Sequence, residues 1–307
     1  MVRIAADMTW LIGRTPLVEL RRVSPPGTRV VGKLDAWNPS GSNKDRAALG
    51  MIDHAVEGGY LAAGGTIVEC SSGDLGLALA TVGRRRGFRI VLTMPDSVPA
   101  RRRALLEALG AEVEVTPAQG GMRGAMARAD ELARTTPGAV CLQAFRNRAN
   151  ARAHAETTAR EIWEDTDGEV HAVVVPVGTG GTAAGCVEFF RSRDVQVVGV
   201  QPANSAVLTG GAAGPHAIPG LGAGFVPEIL APDELDEVID VRDEDARAAT
   251  ERLMREESLL LGPASGAVLH AALALAARTG FAGRLLVAVL PDAAERHLEH
   301  WMPESPS

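Results

Sequence analysis

The chain has 307 residues, 46% of them hydrophobic, and a formal net charge of -7. That length can bury a substantial core, as two domains or one large one, and the acidic balance excludes a general basic field for nucleic acid. No apolar run reaches membrane-spanning length, the N-terminus lacks the charged-then-apolar order of a signal peptide, and Cys70, Cys141 and Cys186 are too far apart for a disulfide framework or metal site. A soluble, cytoplasmic protein with buried thiols is expected.

In chain order, Ile12-Gly13-Arg14-Thr15-Pro16-Leu17 reads as a turn into a short strand, and Val30, Val31 and Leu34 as a second strand. A small-residue loop, Asn38 to Arg46, then opens a helix through Ala47, Leu49, Met51, Ile52 and Ala55. Strands and helices alternate from there. Strands are expected at residues 66–70, 89–94, 111–115 and 139–142, with helices through Leu77–Val82, Ala100–Leu109 and Met122–Arg134 between them. A second series follows: a helix over Arg152–Trp163, a strand over Val170–Val177, a helix over Ala183–Arg191 and a strand over Val195–Val200. The segment Ala203–Phe225 reads as a loop. A strand at 238–241, helices at 243–257 and 266–277, and a strand at 284–290 close the chain. Strands separated by helices of ten or more residues imply βαβ units and parallel sheets. Arg146-Asn147-Arg148 breaks the pattern and suggests a boundary between two α/β lobes. Arg84–Arg86 and Arg101–Arg103 read as solvated helix ends. His54, His154 and His270 read as surface or satisfied core residues on helices.

Three loops join a strand end to a helix start through small residues. Gly178-Thr179-Gly180-Gly181-Thr182 can aim backbone N–H groups and two hydroxyls at a phosphate with the helix dipole behind them, and it lacks both the nucleotide-hydrolase lysine and dinucleotide spacing. Ser71-Ser72-Gly73-Asp74-Leu75-Gly76 offers a second anion turn, although Ser71 or Ser72 could serve as a plain N-cap. Gly262-Pro263-Ala264-Ser265-Gly266 is the third. Lys44 stands at a helix N-terminus, where the dipole disfavours a cation and favours the free amine that condenses with an aldehyde. Alone it would be a solvated first-turn lysine. Ligands of parallel sheets gather at the carboxyl ends of the strands, so an amine and a phosphate cradle together point to pyridoxal phosphate. The histidines show no metal-ligand spacing.

These stretches resemble the cysteine synthase and cystathionine β-synthase family. Residues 12–17 resemble IGxTPL, Asn38–Arg46 resemble NPxGSxKDR, Ser71–Gly76 resemble TSGNTG, and Gly178–Thr182 match GTGGT. Gly220-Leu221-Gly222-Ala223-Gly224-Phe225-Val226-Pro227 resembles GIGAGFVP, and Leu290-Pro291-Asp292 with Glu295-Arg296 resembles LPDSGERY. The resemblance implies two three-layer α/β domains with mostly parallel sheets, the tryptophan synthase β-like fold type II. Its smaller domain would span 38–146 and its larger one 1–37 plus 147–307. It also implies a homodimer, while the charge and hydropathy already noted leave no nucleic-acid or membrane partner expected. Lys44 would be the Schiff-base lysine and general base, with Gly178, Thr179, Gly180, Gly181 and Thr182 on the phosphate and Asp74 and Ser265 also against the cofactor. Ser71, Ser72, Gly73, Asp74, Leu75 and Ala144 would line the amino-acid substrate.

Departures from the pattern cluster in the substrate shell. Asp74 replaces an asparagine beside the cofactor's phenolic oxygen, and an ionised aspartate cannot donate to a phenolate. It must be protonated, alter the cofactor's electronics, or bind something cationic. Leu75 and Ala144 replace a threonine and a glutamine that grip the substrate carboxylate, and Ala264 replaces a serine near the pyridine nitrogen, with Ser265 next to it. The expected activity is β-replacement on an O-activated serine through an aminoacrylate, a transferase or lyase of amino-acid biosynthesis with altered specificity. No Lys or Arg lies in 203–219, against a phosphoserine donor. Net β-elimination, an amine nucleophile giving a diaminopropionate-type product, or a weakly active scaffold are the alternatives.

Overall fold

The computed structural model describes residues 4–297. The chain enters through β1 (Leu17–Glu19) and β2 (Arg29–Leu34) and turns into α1 (Lys44–Glu57). β3 (Thr66–Cys70), α2 (Asp74–Arg85), β4 (Arg89–Pro95), α3 (Ala100–Ala108), β5 (Glu112–Thr116), α4 (Gly121–Thr135) and β6 (Ala139–Cys141) follow. α5 (Arg148–His154) passes through a π-helical stretch, Ala155–Ala159, into α6 (Arg160–Asp165). β7 (Val170–Pro176), α7 (Gly181–Phe190), β8 (Gln196–Pro202), β9 (Glu237–Val241), α8 (Asp243–Glu256), α9 (Pro263–Ala276) and β10 (Leu285–Leu290) complete it.

Among the described residues one sheet has the order β5-β4-β3-β6, all parallel, and the other β1-β2-β10-β7-β8-β9, parallel except for β1. Each has a switch point, where the chain's next strand adds to the opposite side: between β3 and β6 in the first, and between β7 and β10 in the second. The turn after β3 and the loops after β7 and β10 therefore lie where parallel sheets bind ligands.

Both sheets are covered on both faces. Ala172 and Val174 of β7, with Leu286 and Ala288 of β10, pack in the cluster that holds Val268 and Leu275 of α9. Val173 and Val175 alternate to the opposite face, with Ala183 and Phe190 of α7. In the smaller sheet Ile67 and Ile90 join Met51 and Leu79 from α1 and α2, while Val68 and Cys70 join Ala125 and Ala129 of α4. Alternation along fully buried strands explains their near-continuous apolar runs, each large side chain contributing roughly 1.5–3 kcal/mol by burial.

Element edges differ from expectation where a distant group acts as cap. The helix expected from Gly266 begins at Pro263, because Asp292, 28 residues on, accepts from Ala264 N at 3.2 Å and from Ser265 N at 2.8 Å. The helix expected from Arg152 begins at Arg148, where Asn147 Oδ1 accepts from Ala149 N at 2.9 Å. Ala203–Phe225 carries short 3-10 turns at Ala203–Ser205 and Val207–Thr209. Arg101–Arg103 lies in the first turn of α3 and Arg84–Arg86 at the last turn of α2, so both runs fall at helix ends.

Candidate functional site

The lysine loop is held from the larger sheet. Asn43 N donates to Pro291 O at 2.9 Å, Ala293 N to Gly41 O at 3.1 Å, and Ser42 forms a bridge with Asp292. Asn43, the residue before α1, does not cap the helix. Its Oδ1 accepts from Lys44 Nζ at 2.7 Å and its Nδ2 donates to Thr182 Oγ1 at 3.0 Å, tying the amine to the glycine loop. Lys44 is half-buried, and its pKa is lowered chiefly by desolvation, against the charges of Asp74, Asp292 and Asp35. The direction agrees with the dipole argument from sequence, but removal from water is its main cause. Asp45 caps the loop backwards, accepting from Ser40 N at 2.7 Å and from the Ser40 hydroxyl, while burial raises its pKa to about 6.

Gly178–Thr182 forms the start of α7. Gly180 adopts φ +87°, a left-handed conformation that favours glycine, and leaves the first N–H groups of the helix without a preceding side-chain cap. A Cβ on Gly178 would lie 2.2 Å from Gly220 O, so the backbone of the GIGAGFVP-like segment closes against this loop. Asn150 Nδ2 donates to Thr179 Oγ1 at 3.0 Å and to Ala144 O at 2.9 Å. Thr182 Oγ1 lies 3.3 Å from His154 Nε2, and burial lowers the His154 pKa to about 3, so this histidine is a neutral core partner of the loop. A cradle built from backbone, two hydroxyls and a neutral imidazole, beside a desolvated amine, fits an aldehyde phosphate. Gly178→Ala is expected to weaken pyridoxal-phosphate binding at least about tenfold, since Gly220 must move; cofactor titration by absorbance would measure it.

The other expected residues divide. Ser71 Oγ accepts from Gly76 N at 2.8 Å and Gly73 N at 3.2 Å, the work of a cap, while Ser72 is exposed. Asp74 opens α2; its Oδ1 is buried and has no hydrogen-bond partner among the described residues. Leu75 and Ala144 belong to one core cluster, and Ala144 N donates to the buried Glu69 at 3.1 Å, whose pKa burial raises to about 7. Ser265 Oγ donates to Asp292 Oδ1 at 2.6 Å. Ser265 is thus engaged with a carboxylate that the sequence reading did not single out. Arg102, expected as solvated surface, donates to Ser72 O at 3.2 Å and Arg296 O at 2.9 Å, joining the anion turn to the C-terminal segment. His297 was also missed, although it stands where the LPDSGERY pattern has its tyrosine. All three cysteines are free, and Cys70 and Cys186 are buried.

A desolvated amine and a cation-free anion cradle, set at the carboxyl edges of two parallel sheets, define an enzyme that carries a phosphorylated carbonyl cofactor. The chain belongs to the family of pyridoxal-phosphate dependent enzymes, whose model matches residues 8–292. It is 40% identical to cysteine synthase A of Escherichia coli (strain K12) over 97% of this chain and 95% of that protein. The solved cysteine synthase from Entamoeba histolytica superposes with a TM-score of 0.93 at 36% identity, covering 99% of this chain and 93% of the other. A solved O-ureido-L-serine synthase gives a TM-score of 0.93 at 38% identity, covering 99% and 98%. The fold is type II, the cofactor is pyridoxal phosphate, and the protein is an enzyme of the cysteine synthase type. No helix among the described residues is long and apolar enough to cross a membrane.

Proposed function

We propose that this enzyme catalyses β-replacement on an O-activated serine with a substrate preference shifted from that of ordinary cysteine synthases. The observation that carries the reading is Lys44, a desolvated amine bonded through Asn43 to the glycine cradle. When bound, pyridoxal phosphate acidifies the substrate's α-proton and accepts its electrons. Gly178, Thr179, Gly180, Gly181 and Thr182 hold the phosphate by N–H and hydroxyl groups. The Lys44 amine takes the α-proton as the β-leaving group departs and returns a proton to Cα when the nucleophile has added at Cβ, so it ends the cycle unchanged. The same proposal includes a homodimer, the division into lobes at residues 38 and 146, and a cytoplasmic location.

Shifted specificity is supported by Leu75 and Ala144, apolar side chains of the core at positions where the resembling family grips a carboxylate. A relative named for O-ureido-L-serine also supports products other than cysteine on this fold. Leu75→Thr is expected to raise kcat/KM for O-acetylserine about tenfold relative to its amide, the worth of one hydrogen bond to a charged group, while costing roughly 1–3 kcal/mol of stability. Steady-state rates with the acid and amide donors, using sulfide and amine nucleophiles in turn, test both parts. An unchanged acid-to-amide ratio would reject the shifted carboxylate grip. Absence of turnover with every β-substituted amino acid, with cofactor added, would reject the enzyme assignment in favour of a scaffold.

A further inference from the structure

Beyond the cradle, charged groups from four elements converge between the two sheets. Asp292 follows β10, His297 ends the turn Ala294–His297, Asp74 opens α2 and Arg102 lies in the first turn of α3. His297 Nε2 is 3.2 Å from Asp292 Oδ2 and 4.0 Å from Asp74 Oδ2, and its Nδ1 is 3.3 Å from Arg102 Nη2. The imidazole is 1% exposed. Asp292 is already committed: its Oδ1 accepts from Ser265 N and Oγ, and its Oδ2 from Ala264 N. Asp74 Oδ1, by contrast, is buried without a hydrogen-bond partner among the described residues, and the Asp74 charge acts on Lys44. The two positions depart from the family pattern together: an aspartate stands for asparagine and a histidine for tyrosine, so two neutral groups are exchanged for two ionisable groups 4.0 Å apart.

We propose that His297 is a positioning residue for Asp74, holding a proton between Asp292 and Asp74 so that Asp74 serves as a charge-balanced acceptor at the reaction centre. Oδ1 then receives a hydrogen from the bound group opposite it, where the asparagine of the resembling family would have offered one. A bound group that brings its own O–H or N–H is favoured, and one that presents an anion there is disfavoured.

The charges around the pair set its pH behaviour. His297 faces Asp292, Asp74 and Arg102, and Asp74 in turn faces Lys44 and Asp45. Burial alone would lower the His297 pKa, but the Asp292 carboxylate 3.2 Å away and the charge of Asp74 outweigh burial and Arg102 and hold it above the ordinary histidine value. The imidazolium persists below that raised pKa. As pH rises through it, Asp74 loses its counter-charge and Arg102 can donate to the freed Nδ1.

The first test uses the apoprotein and needs no turnover. In 15N-histidine NMR titrations, with the signal assigned by its loss in His297→Asn, Asp74→Asn is expected to lower the His297 pKa by about one unit, as loss of a nearby carboxylate does. An unchanged titration would overturn the proposal. The second uses the holoenzyme and rests on the proposed function. His297→Tyr should lower kcat at least about tenfold and move the alkaline limb of its pH profile, and adding Asp74→Asn should recover most of that loss by restoring the neutral pair. Losses that simply multiply in the double variant would overturn the pairing. If the titration moves while no variant or wild type turns over any donor, the pairing stands and the function assignment fails.

Discussion

Lys44→Met is expected to lower kcat by at least about a thousandfold while the protein remains folded and retains phosphate-directed cofactor binding. General acid–base assistance by a positioned group contributes roughly 10²–10⁴, and here one amine serves both the removal and the return of a proton. The stability side has its own sign. The folded-state pKa of Lys44 is lowered from 10.5, so below that value the unfolded chain binds the proton more readily and the amine costs stability at neutral pH. Methionine keeps the length of the side chain without the proton. The variant should therefore unfold at the same denaturant concentration as wild type or higher. Steady-state kinetics and urea unfolding of the two proteins settle both points. A variant that loses activity together with several kcal/mol would make Lys44 a structural residue first.

The sequence made parts of this site legible because their chemistry is local. Lys44 and Gly178–Thr182 lie in continuous strand–loop–helix stretches, and a glycine such as Gly180, at φ +87°, leaves a compositional mark. Parallel sheets were legible from the alternation of strands and helices, since fully buried strands such as β7 and β10 must be apolar throughout. What stayed hidden depends on contacts between distant residues. Asp292 caps α9 from 27 and 28 positions away, and His297 meets Asp74 across more than two hundred residues. The π-helical stretch Ala155–Ala159 has no composition of its own that separates it from α-helix. The tyrosine-to-histidine change was visible in the last motif, but its meaning required knowing that Asp74 stands beside it. Leu75 and Ala144 were placed beside the substrate by the motifs alone; their membership in the core cluster with Leu77 and Leu142 depends on packing that the motifs do not carry.

Below the lysine loop an ionic network fixes the first turn of α1, and Arg46→Met is expected to cost about 3–5 kcal/mol there. Arg46, with a side chain 1% exposed, donates to Asp35 Oδ1 at 2.9 Å, to Thr15 Oγ1 at 3.0 Å and to both oxygens of Glu161 at 2.6 and 2.8 Å. Lys33 joins from β2, its Nζ 2.9 Å from Glu161 Oε2. Removing one member of such a set leaves the others buried and uncompensated, whereas replacing the whole set by neutral groups costs much less. Arg46 Nε and Asp35 Oδ2 already lack hydrogen-bond partners among the described residues, so the network is not fully satisfied even when intact. Arg46→Met combined with Asp35→Asn and Glu161→Gln should therefore recover part of the loss. The pH dependence follows from Glu161. Burial would raise its pKa, but the hydrogen bonds and charge of Arg46, with Lys33, bring it from 4.5 down to about 2. Its contribution is present in full above pH 4.5 and is lost as pH falls toward 2. Urea midpoints followed from pH 7 to pH 3 should show that acid-linked loss in wild type and a much smaller one in Arg46→Met. A cost below about 1 kcal/mol, or parallel pH profiles, would mean that the network tolerates an unpaired carboxylate and does not hold Lys44 in place.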